Sequence, residues 1–158
     1  STSREHDVQA PATVGLRAAM AAAADRDRIA TQYVTDFADI FGLGVPRLRE
    51  ALGRWPSESW AAASAYLGFL AGFSDTHIVR KHGAKRAADV RRRATPLNAR
   101  LRNCADPAAM QEALLDFDAT LKSEGMNPGT SADLTVASLF TRRLQDAMTA
   151  DAGGPPRD

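Results

Sequence analysis

With 158 residues, 20 Lys and Arg against 19 Asp and Glu, and a formal net charge of +1, the chain has the composition of one ordinary globular domain. It carries no large field to draw in nucleic acid or acidic lipid. The lone Cys104 excludes an intrachain disulfide and a thiolate metal site and suits a reducing cytoplasm.

Helical periodicity dominates and strand alternation is nowhere sustained. After the polar lead "STSREHDVQAP" comes the Ala-rich run at 18–25, which meets the charged "DRDR" (25–28) too soon to serve as a signal peptide. Leu16, Met20, Ala23, Asp27, Ala30, Val34, Phe37 and Phe41 recur at steps of three and four, which predicts one face of a long helix ended by "GLG" (42–44). Pro46 opens a short helix through Leu52, closed by "GRWP". Ser57 is a good N-cap for the next, with Trp60, Ala63, Leu67 and Leu70 inward. A further segment runs from about Asp75 to His82, and Gly83 permits a bend. Residues 84–102 form a basic helical stretch with a break near Pro96. Asp106 caps a helix carrying Met110, Leu114, Phe117 and Leu121 that stops at Gly125. The last helix starts within "NPGTSADLTVASLF" (127–140) and reaches about Ala150. No window approaches the roughly 20 apolar residues of a membrane span. An all-α, single-domain bundle of about six to seven helices over residues 1–151 follows, with 152–158 as a disordered tail.

Four constellations could carry chemistry. In "NPGTSADLTVASLF", Gly129 lets a ligand approach the backbone, Thr130 and Ser131 add hydroxyls, and Asn127 adds an amide at a helix start suited to an anion. The plainer alternative is a capping box of Thr130 with Asp133. Asp133 shares a helical face with Ala137, Phe140 and Leu144, so its carboxylate is expected to point toward the core. In "SDTHIVRKHG" (74–83), His77, Arg80 and Lys81 form one cationic face with reach for a polyphosphate. Asp75 and His82 share another face, where the carboxylate could orient the imidazole or hold hydrated Mg2+; the alternative is a solvated basic face with Asp75 as N-cap. In "AADRDRIA" (23–30), Asp27 lies on the inward stripe, either paired with a neighbouring Arg or functional. Finally, nine Lys and Arg against one acid, Asp89, fill positions 80–102. No aromatic residue interleaves them, which favours a solvated face or a phosphate-binding rim over a nucleic-acid patch.

"SDTHIVRKHG", followed some fifty residues later by "NPGTSADLTVASLF", resembles the C-terminal half of the triphosphoribosyl-dephospho-CoA synthase family. "REHDVQAP" (4–11), "AADRDRIATQYVTDFADIF" (23–41) and the Trp60 region are similar to its less-studied branch. The resemblance implies ATP-dependent transfer of a triphosphoribosyl group to the ribose 2′-hydroxyl of 3′-dephospho-CoA or a related cofactor precursor, with release of adenine, in the cytoplasm. By the same resemblance Asn127, Gly129, Thr130 and Ser131 meet the nucleotide. His77, Arg80, Lys81 and His82 grip phosphates, Asp27, Asp75 and Asp133 are catalytic candidates, and Asp75 or Asp133 binds Mg2+. It implies an N-terminal half as partner and leaves a homodimer open. A non-catalytic nucleotide-binding or interaction module is the competing reading.

Overall fold

A computed structural model describes residues 14–152; the polar lead and the expected tail after Ala152 lie outside the described residues. The described residues are mostly helical, with no strand among them. The order is α1 (Leu16–Ala21), α2 (Arg28–Val34), a π-helical turn (Ile40–Gly44), α3 (Val45–Arg54), α4 (Glu58–Gly72), α5 (Thr76–His82), α6 (Ala84–Asn103), a 3-10 turn (Pro107–Met110), α7 (Gln111–Ser123) and α8 (Gly129–Ala152).

Helix α4 is apolar on nearly every side and therefore sits at the centre, packed by α3, α6 and α8. Its Ala61, Ala65 and Leu67 meet Leu48 and Ala51 of α3, Trp55 just after it, and Leu101 of α6. One turn on, Leu70 joins Ile78, Val90, Ala94, Leu121 and Met126. Phe69 and Phe73 pack with Ile40, Val45 and Leu134. Burying a side chain the size of Phe69, at 0% exposure, contributes about 2–3 kcal/mol.

Local punctuation behaves as the residues dictate. Ser57 accepts from Trp60 N, and Asp106 accepts from Ala108 N at 2.9 Å. Gly83 makes the α5–α6 bend at φ +84°, and Gly125 ends α7 at φ +68°, both costly for a residue with a Cβ.

Three expectations are corrected. The long helix over 16–41 is broken. Asp27 leaves helical geometry at φ −130° to cap α2, and Asp36 and Phe37 then adopt left-handed backbone at φ 52° and 60°. Leu16, Phe37 and Phe41 end up exposed. Pro96 does not break α6, which runs unbroken through it while Ala87, Val90, Ala94 and Leu101 anchor both halves.

The third correction concerns α8, whose outer face is the apolar one: Phe140 and Leu144 are 65% and 48% exposed, and Asp133 is exposed with them. The face against the body carries Ser131, Leu134, Thr135 and Ser138. Thr135 and Ser138 return their hydrogens to the carbonyls of Ser131 and Leu134 at 2.8 and 2.7 Å, so no buried donor is left over. This small, self-satisfied face lets the π turn close in. A Cβ on Gly44 would stand 1.9 Å from Ser138 Oγ.

Candidate functional site at the start of the last helix

The chain brings Asp75 to the place where α5 and α8 both begin. Its Oδ1 accepts from His77 N at 3.0 Å and Ile78 N at 3.3 Å, closing the first turn of α5. Its Oδ2 accepts from Ser131 N and Ser131 Oγ, each at 2.8 Å, tying down the first turn of α8. At 1% exposure the carboxylate is compensated by four donors and by the positive ends of two helices. Thr130 reciprocates from α8: its Oγ1 accepts from His77 N at 3.1 Å and shares a hydrogen with Thr76 Oγ1 at 2.9 Å. Each segment therefore caps the other's helix. The third constellation joins at the same point, because Arg28 N donates to Thr76 Oγ1 at 3.3 Å.

Outside this layer lies a cationic rim. The His77 ring rests on the backbone of Gly129, where a Cβ would come within 3.3 Å of the ring. Arg80 Nη2 lies 3.2 Å from His77 Nδ1. Guanidinium only donates, so Nδ1 accepts and the hydrogen sits on Nε2, which is buried with no acceptor. Arg80, Lys81, His82, Asn127 and Asp133 are exposed.

The geometry settles several sequence expectations. Thr130 does not form a capping box with Asp133; its hydroxyl is spent on α5 and Thr76. Asp75 is an N-cap and does not orient His82, which is exposed while Asp75 is buried. Asp27 is not an inward-facing side chain of a long helix but the cap of α2, accepting from Ile29 N at 2.8 Å and Ala30 N at 3.4 Å. The expected Mg2+ ligand at Asp75 has its oxygens committed to four hydrogen bonds. Among the described residues no group of three or more His, Cys, Asp or Glu is placed to hold a metal ion. The basic run is partly neutralised, since Arg92 and Arg93 pair with Asp89, Arg93 pairs with Glu124 at 2.7 Å, and Arg102 pairs with Glu50.

Periodicity missed two supports of this corner. Thr76 is its hydroxyl bridge, signalled only by its place just after a capping Asp. Arg28 grips Asp39 with two nitrogens at 2.8 and 2.9 Å and lies 4.0 Å over the Phe73 ring, which fixes the start of α2. The spacings of eleven and seven residues from Arg28 and Gln32 to Asp39 would suit one helical face, but α2 ends at Val34 and the turn at 35–39 creates the contact instead.

Compared with known families, residues 1–151 match the model described as CitG: ATP:dephospho-CoA triphosphoribosyl transferase. No curated protein and no solved structure matches the chain.

Proposed function

Because this chain belongs to the ATP:dephospho-CoA triphosphoribosyl transferase family, we propose that the junction of α2, α5 and α8 is where it handles the triphosphate of ATP. One observation carries the reading. The three stretches that the sequence singles out, around Asp27, Asp75 and Thr130, meet through the Thr76–Thr130 hydroxyl pair with a cationic rim directly outside.

In the proposed reaction an acceptor hydroxyl, the ribose 2′-hydroxyl of 3′-dephospho-CoA, bonds to the anomeric carbon of the ATP ribose. The bond from that carbon to adenine breaks, and the hydroxyl proton ends on the departing base. Positive charge builds on the sugar while the triphosphate stays intact. His77, Arg80, Lys81 and His82 supply donors to the phosphates, and Asn127 and the Gly129 backbone border the same helix start. The Nε2–H of His77 is buried without an acceptor, and the ring has to turn outward to offer it to a phosphate oxygen. Asp133, exposed on the first turn of α8, is the carboxylate left to face a cation carried in by the triphosphate. Asp75 acts through the helices it clamps, and Asp27 through α2. In this proposal an N-terminal half of the same enzyme acts as a partner in turnover.

Calorimetric titration with Mg2+ and ATP tests the reading, with the N-terminal half added in a second arm. Saturable binding that weakens in Arg80→Ala and His77→Gln supports it. Absence of ATP binding in both arms contradicts it. Binding without adenine release in the complemented arm favours the non-catalytic module.

A further inference from the structure

On the opposite side of α4 from the π turn, α7 meets the body through side chains that leave a gap. Ala63, Tyr66 and Leu67 of α4 form its floor, and Leu114, Phe117 and Leu121 of α7 form its roof, around a cleft of about 130 Å3. An apolar cavity of about 150 Å3 is enough to take one benzene ring. Six apolar or aromatic walls exclude a phosphate or a sugar, which would leave their hydroxyls and charges unpaired. The polar features are the Tyr66 phenol and, at the rim, Asp118, which is held by Lys122 at 2.6 Å. Burial, then the carboxylates of Asp75 and Asp118, push the Tyr66 phenol well above its usual titration range. The phenol therefore stays protonated, and the polar end of the cleft offers two acceptors, the Tyr66 oxygen and an Asp118 carboxylate whose charge Lys122 offsets.

We propose that the α4–α7 cleft is a binding site for a single aromatic ring bearing an N–H donor, the ring lying between Leu67 and Phe117 and the donor meeting Tyr66 Oη and Asp118. The class follows from three features taken together: a ring-sized volume, walls suited to stacking and dispersion but costly to an anion, and one end that accepts hydrogen bonds. This site is distinct from the α5–α8 rim and does not rest on the reaction proposed there. Tyr66 nonetheless spans the two, because it packs against the cluster containing Ile78 of α5 and feels the charge of Asp75.

Amide NMR of the chain titrated with aniline, toluene and benzoate tests the site. Aniline is expected to saturate, with shifts concentrated at 63–67 and 114–121, and toluene to bind about three- to tenfold more weakly. Benzoate is expected to leave those amides unmoved. Tyr66→Phe keeps the ring and the core and should bring aniline down to the toluene level. Ala63→Leu fills the floor and should abolish both, with the helical circular dichroism of each variant checked first. Non-saturating shifts, equal affinity for aniline and toluene, or aniline binding untouched by both substitutions would overturn the proposal.

Discussion

The inner and outer layers of the α5–α8 junction come from the same two short stretches, yet their side chains live in opposite conditions. Inside, Asp75, Thr130 and Ser131 are at most 4% exposed and spend their polar atoms on one another and on helix ends. Outside, Arg80, Lys81, His82, Asn127 and Asp133 face solvent. Asp75 and Asp133 show the division most clearly. Both are carboxylates at a helix start; one is fully committed to holding two helices, and the other is exposed to what arrives. A motif that reads as one functional unit thus separates into a part that sets geometry and a part that can meet a ligand.

That division is broken most easily at Asp75. Asp75→Ala strands the Ser131 hydroxyl and the backbone donors of Ile78 and Ser131 in a buried place, leaves His77 N only its bond to Thr130, and should cost about 3 kcal/mol or more in urea unfolding. A loss under about 1 kcal/mol would mean that the inner layer is not the clamp described here. Gly44→Ala probes the same packing from the π turn. Its methyl group meets Ser138 Oγ and Phe69, so about 1–3 kcal/mol should be lost, part of it regained in a Ser138→Ala background. Thr130→Val keeps the shape but removes one of the two acceptors of His77 N and the partner of the Thr76 hydroxyl. It should cost about 1–2 kcal/mol, measured by the shift of the urea midpoint at unchanged slope.

The outer layer should respond the other way. Arg80→Ala is expected to stay within about 0.5 kcal/mol of the parent in stability. Its affinity for Mg2+–ATP should fall roughly tenfold, about 1.4 kcal/mol, by calorimetry. Equal losses in stability and affinity would erase the distinction between layers. The smallest effect belongs to the exposed pair that joins α6 to the end of α7. The Arg93 hydrogen bond holds the Glu124 carboxyl below its usual range. The folded value is therefore lower than the unfolded one. The stability it adds is present above the unfolded value and is lost as pH falls through the folded value. A thermal-melting series descending through pH 4.5 should show a slightly shallower decline in Glu124→Gln than in the parent.

Local chemistry was legible wherever a single residue decides the backbone. Ser57, Asp75 and Asp106 cap helices as their side chains require, and Gly83 and Gly125 mark the turns. Tertiary choice was not legible in α8. Apolar periodicity selects Phe140 and Leu144, but the body takes Ser131, Thr135 and Ser138, whose hydroxyls bond within the helix and allow closer approach. The same periodicity ran one helix through Asp27, because a stripe of apolar residues carries no sign of a cap in its middle. The meeting of Asp27, Asp75 and Thr130 lies beyond spacing altogether. Forty-eight and fifty-four residues separate the partners of its bonds, and only packing brings them together.

The proposed function stands or falls on whether the triphosphate sits on the outer layer of the α5–α8 junction. Backbone amide NMR during a titration with Mg2+ and ATP addresses it most directly. The largest shifts are expected at 76–82 and 127–133, with the His77 ring signals moving as Nε2–H gains an acceptor. Shifts confined to the basic stretch at 85–102, with those two segments silent, would contradict it.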